Sequence, residues 1–153
     1  MAKVIVVYES KYGNTRIAAE EIIAGMKDVP GMAAELFRPK DFDMGRIADY
    51  DAIIIGTPTH IGRPTFGISR FIGRLGKLKL EGKMAAVFDL RMAPDPGQAM
   101  RKMEKQIGEK APGLKLIAPG LSVLVSGMQG PIAEGEIPRC KEFGNKIASR
   151  LKE

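Results

Sequence analysis

Tryptophan is absent from this sequence, and cysteine and histidine occur once each, as Cys140 and His60. A single thiol cannot close an intramolecular disulfide, which fits a reducing compartment. One Cys and one His are too few for a metal centre, so none is expected. No apolar run approaches the roughly 18 residues of a membrane-spanning helix. A strand pattern begins almost at Met1, so no signal peptide is expected and cytoplasmic location follows by default. The sequence lacks GxxxxGKS/T, which excludes a P-loop NTPase, and lacks GxGxxG after the first apolar run, which argues against a dinucleotide Rossmann site. Only Glu9 stands where a response-regulator receiver carries an acidic pair. There is also no Ser-His-Asp set, no Cys-His pair and no paired carboxylates in a loop placed for catalysis, so no catalytic constellation stands out.

What is present is ordinary globular composition: 153 residues, 44% hydrophobic and 27% charged. That length suits one domain over residues 1–153. The charge is basic, with 24 Lys and Arg against 18 Asp and Glu. The excess lies late: residues 1–50 carry a net −1, residues 51–100 a net +3 and residues 101–153 a net +4. Such a surface steers anionic ligands or acidic partner proteins. The cations are spread along the chain without a nucleic-acid-binding signature, so no nucleic acid is expected.

Short apolar runs alternate with helical patterns. Val4–Val7, Ala33–Arg38, Ala52–Gly56 and Lys83–Leu90 read as strands buried on both faces. Leu114–Ala118 and Leu121–Val125 read as a fifth strand, bent, bulged or divided by Pro119-Gly120. Between them, Ala18, Ile22 and Met26 mark a helix over Thr15–Lys27, ended by Gly25 and the Val29-Pro30-Gly31 turn. Residues 41–50 suit a short helix or an irregular connection. Ile68, Phe71, Ile72 and Leu75 mark another helix, and Met100, Met103 and Ile107 a third. Cys140, Phe143, Ile147 and Leu151 form the apolar side of a last helix starting near Pro138, which makes Cys140 a core thiol. The alternation predicts an α/β fold: a doubly wound, five-stranded parallel sheet in the order 2-1-3-4-5 with helices on both faces. A ligand then sits across the C-terminal ends of the first and third strands, where the order reverses.

The stretch Ser10-Lys11-Tyr12-Gly13-Asn14-Thr15 falls at that point. It leads from a buried strand straight into a helix N-terminus, whose unpaired N–H groups and dipole favour a phosphate. Ser10, Asn14 and Thr15 offer side-chain donors, and Gly13 permits a positive φ. In an empty loop, Asn14 or Thr15 would cap the helix instead. The stretch resembles the FMN-phosphate loop of flavodoxins, usually Thr/Ser-x-Thr-Gly-Asn-Thr, with Tyr12 in place of the common Thr. The loop Gly56-Thr57-Pro58-Thr59-His60-Ile61-Gly62 is similar to the segment that follows the third strand in the same family.

That resemblance implies an FMN-binding, flavodoxin-like electron-transfer protein. Thr57, Pro58, Thr59, His60, Ile61 and Gly62 would lie by the isoalloxazine ring, with His60 either stacked on it or simply facing solvent. Asp89, Leu90, Arg91 and Met92 would follow the fourth strand there. This loop lacks the aromatic common in the family, so either Leu90 or Met92 would cover the ring or the ring would be more exposed, and Arg91 would sit near its N1 or O2 edge or serve as a surface cation. The loop Gly127–Pro131 is a further rim without assigned chemistry. The implied partner is a redox protein, an acidic one suiting the charge. Two alternatives remain at this point. One is an FMN-dependent reductase or oxidase of a small quinone or porphyrinogen-type substrate, and the other a flavin-free module using its basic surface.

Overall fold

The computed structural model describes residues 1–153. Strand β1 is Ala2–Tyr8, followed by α1 at Asn14–Lys27 and β2 at Met32–Phe37. Two 3-10 segments, Pro39–Asp41 and Met44–Asp49, lead to β3 at Ala52–Pro58. Then come α2 (Phe66–Leu75), β4 (Met84–Arg91), α3 (Gln98–Lys110), the short β5 (Lys115–Leu116), β6 (Leu121–Leu124) and α4 (Glu136–Lys152).

All pairings are parallel, in the order β2-β1-β3-β4-β5, and β6 also pairs with β4. The expected order 2-1-3-4-5 is therefore observed. The fifth strand is two pieces laid end to end along β4: Ala85 faces Leu116 and Phe88 faces Leu121. Pro119 has no N–H for a continuous ladder. At Gly120, a Cβ would stand 2.4 Å from the Val87 carbonyl oxygen, so glycine allows the chain to pass β4 closely.

Strand alternation divides the core. Val4, Val6, Ala52, Ile54, Ala86 and Phe88 face α1 and α4. Ile5, Val7, Ile53, Ile55, Ala85 and Val87 face α2 and α3. Both sides of the sheet are covered, as a parallel sheet requires. Cys140 is buried among the first group, and burial pushes its thiol up to about 12, which fits a packing role.

Gly25 does not end α1. It lies inside the helix, where a Cβ would stand 1.9 Å from the Lys141 carbonyl oxygen of α4. Gly144 of α4 meets the Ile22 carbonyl in the same way, at 1.9 Å. Two glycines thus let α1 and α4 pack backbone to backbone. This contact holds the second half of α1 directly against α4.

Candidate functional site

β1, β3 and β4 end together at the sheet's C-terminal edge, and the loops leaving them surround a cavity of about 500 Å³. Twelve of the sixteen residues singled out in the sequence line it: Ser10, Lys11, Tyr12, Asn14, Thr15, Pro58, Thr59, His60, Ile61, Gly62, Leu90 and Met92. Asp95, Val125 and Met128 complete the wall.

The N-terminus of α1 opens onto this cavity. The residue before the helix is Gly13, in the left-handed region at φ 92°, and no side chain caps the first turn. Asn14 and Thr15 are not caps; they are the first two residues of the helix itself. Thr15 is buried, and the Asn14 amide lies so close to Gly130 that a Cβ there would collide with it. Ser10 tightens the turn by accepting a hydrogen bond from the Gly13 N–H at 3.0 Å. The first turn holds no acidic residue, so its dipole is uncompensated.

The second wall is the loop after β3. His60 and Arg63 pair backbone to backbone, N–H to carbonyl, at 2.8 and 3.0 Å. The turn between them puts Ile61 at φ 49° and Gly62 at φ 71°. A β-branched residue in that region is strained, and the Ile61 side chain is 97% exposed, so no burial offsets the strain. His60 is exposed at the cavity mouth. Thr59 Oγ1 is buried and has no hydrogen-bond partner, which is costly for a hydroxyl unless a ligand completes it.

Four sequence-selected residues do not line the cavity. Gly13 contributes backbone conformation. Thr57 is fully buried; its hydroxyl donates to the Pro58 carbonyl at 2.8 Å and accepts from the Thr65 N–H at 3.0 Å, holding the loop to the start of α2. Asp89 is also fully buried. It accepts from the Met100 N–H at 2.8 Å and from the Ser122 hydroxyl, joining β4, α3 and β6. Burial raises its carboxyl above the ordinary 3.8, opposed by those two hydrogen bonds. Arg91 turns away from the cavity and donates to the Asp95 carbonyl at 3.2 Å, bracing the loop after β4.

Asp95 and Val125 were not singled out in the sequence, whereas Met128 belongs to the 127–131 loop read there as a further rim; all three arrive by loop closure. Asp95 accepts from the N–H groups of Gly97 and Gln98 at 2.8 and 2.9 Å, a turn signal readable in Asp95-Pro96-Gly97. Val125 and Met128 arrive because Val125 pairs with Ile132, folding the 126–131 segment back over the edge.

This architecture defines a class: a doubly wound α/β domain whose cavity, at the C-terminal edge of the sheet, joins an uncapped helix N-terminus suited to an anionic group to a partly apolar wall. The comparisons agree. The family model described as flavodoxin domain matches residues 5–123, and the chain belongs to that family of FMN-binding domains. A structure of a flavodoxin from the domain Archaea superposes with a TM-score of 0.84 at 24% identity, covering 99% of each chain. Oxidised Flavodoxin 2 from Bacillus cereus gives 0.79 at 26% identity, over 99% of this chain and 100% of that one. Among curated proteins, an NAD(P)H dehydrogenase (quinone) of Chromohalobacter salexigens is 28% identical over 123 residues, 64% of this chain. The match spans 61% of that relative's length. No helix of the chain is long and apolar enough to cross a membrane.

The residues present fit FMN. The donors at Ser10, Asn14, Thr15 and the α1 N–H groups suit a phosphate, and the unpartnered Thr59 hydroxyl suits a polar ring edge. Leu90, Met92, Ile61 and Tyr12 supply apolar cover without a stacking aromatic from the β4 loop.

Proposed function

We propose that this chain binds FMN non-covalently in the cavity and carries electrons between protein partners. The observation that carries the reading is the N-terminus of α1, uncapped, free of acidic residues and opening onto three donor side chains. When bound, FMN supplies one- and two-electron chemistry. Ser10, Asn14, Thr15 and the first-turn N–H groups hold and orient its phosphate. Ile61, Leu90 and Met92 exclude water from the ring, and the Thr59 hydroxyl offers its polar edge a hydrogen bond. Titration of the flavin-free protein with FMN and with riboflavin tests the reading. Tight FMN binding with much weaker riboflavin binding is the expected result. Equal or absent binding of the two refutes the phosphate assignment.

A second reading, an FMN-dependent reductase of a small quinone-like substrate, is supported by the likeness to the quinone dehydrogenase and by the cavity's open mouth. Turnover of NAD(P)H with a quinone at catalytic protein concentration favours it. A pure carrier shows none without a separate reductase.

A further inference from the structure

Beside the first cavity lies a second cleft of about 650 Å³, sharing Ser10, Lys11, Pro58 and His60 with it. Its two banks are basic. Arg38 and Lys40 stand on the turn after β2, Arg70 and Arg74 on α2 one turn apart, and Lys11 marks the boundary with the first cavity. None of the five makes an ion pair within 4.0 Å, although ion pairs occur elsewhere on the surface. The single carboxylate in the cleft, Glu9, is held by the Thr65 hydroxyl. Phe66 stands at the rim, 76% exposed, with the Arg70 guanidinium 4.9 Å from its ring centre.

The apolar exposure of the whole molecule concentrates here. Of the seven large apolar side chains that are exposed, Tyr12, Ile61, Met92 and Met128 border the first cavity and Phe66 the second. An apolar centre flanked by unpaired arginines and an exposed aromatic is the composition of a protein–protein contact. A small anion would use the cations but would leave Phe66 and the apolar rim uncovered.

We propose that this cleft and rim form the docking face for an acidic electron-carrier protein, whose Asp and Glu side chains meet Arg38, Lys40, Arg70 and Arg74 while an apolar contact covers Phe66. The proposal rests on the carrier reading above and adds where the partner sits and what sign of charge it bears. Docking here places the partner directly beside the cavity mouth. The unpaired cations speed its approach by electrostatic steering, an effect that salt suppresses.

The test measures binding of an acidic plant-type 2Fe–2S ferredoxin to the FMN-saturated protein at low and high ionic strength. Three variants are compared with the parent: Arg70→Glu/Arg74→Glu, Phe66→Ala, and Lys102→Glu/Lys105→Glu on the exposed face of α3. FMN affinity is measured on each. The expected result is salt-sensitive binding, weakened about tenfold or more by the α2 reversal, a few-fold by Phe66→Ala, and little changed by the α3 reversal, with FMN affinity constant throughout. Equal weakening by both reversals overturns the proposal in favour of net charge alone. So does an absence of ferredoxin binding at low salt, or tight ATP binding lost in the α2 reversal without ferredoxin binding. If the parent takes up no FMN, the carrier reading fails on that titration, independently of the ferredoxin result.

Discussion

Helices α1 and α3 both begin at the C-terminal edge of the sheet, yet their first turns are finished differently. At α3, Asp89 takes the Met100 N–H and Asp95 takes those of Gly97 and Gln98. Two carboxylates of the chain itself answer the helix dipole, and the joint is closed. At α1 there is no side-chain cap and no acidic residue, only Gly13 and the donors Asn14 and Thr15. The other two helices follow the α3 solution in part: Thr65 caps α2, and α4 carries Glu136 in its first turn. On the proposed reading this difference separates a structural joint from a ligand site, although α4 also lacks a side-chain cap and differs from α1 by its first-turn Glu136.

The sharpest way to break that contrast is to give α1 what α3 has. Asn14→Asp puts a carboxylate in the open turn. It should weaken FMN binding at least a hundredfold, at about 3 kcal/mol or more for a charge set against the phosphate. The flavin-free protein should melt no lower than the parent, since acid in a first turn is favourable. Unchanged FMN affinity by fluorescence titration would falsify the assignment. Removing donors is milder. Thr15→Ala and Asn14→Ala should each cost about 1.5–3 kcal/mol of FMN binding, as hydrogen bonds to a charged group do. Asn14 does not cap the helix, so a large loss of flavin-free stability in Asn14→Ala would contradict the geometry, whereas Thr15 is buried and its truncation also costs packing.

Two smaller effects sharpen the comparison. Ile61→Gly relieves the left-handed backbone and should stabilise the flavin-free protein by about 1 kcal/mol. It should also weaken FMN binding a few-fold as apolar cover is lost; a melting point unchanged or lowered would argue that the turn is not strained. At the closed joint, the effect is a pH dependence. Asp89 has its folded pKa raised above 3.8 by burial. Its contribution to stability is therefore full below that value and is lost as pH rises through the folded pKa. Asp89→Asn should remove this falling component when denaturation midpoints are compared across that window. Parallel pH curves for parent and variant would reject the account.

The turn at the start of α1, proposed above to hold the phosphate, was legible in the sequence because its parts are contiguous: residues 10–15 follow a buried run and open a helix. The strand order was legible because alternating short apolar runs and helical stripes admit few parallel arrangements. Asp89 was not, since a carboxylate at a strand end looks the same whether it meets a ligand or a helix; its partner Ser122 lies 33 residues away. Arg91 was open to two readings for the same reason, and its Asp95 carbonyl partner follows only from the fold of the loop. Met128 was legible as part of a rim loop, but Val125 was not: the backfolding of that segment rests on a single pairing, Val125 to Ile132, with no periodicity to announce it. Gly25 looked like a helix terminator because the other helix's backbone, which it makes room for, is over a hundred residues later.

That last contact sets an order of events during synthesis. The two glycines lock α1 against α4, and α4, at Glu136–Lys152, is synthesised more than a hundred residues after α1. Until it arrives, one side of α1 has no partner, and the Ser10–Thr15 turn rests on a helix not yet held in place. Residues 10–15 are made well before α4 and become competent for a ligand only after it has docked. A nascent chain arrested before Glu136 should therefore carry the whole phosphate motif and still fail to retain flavin.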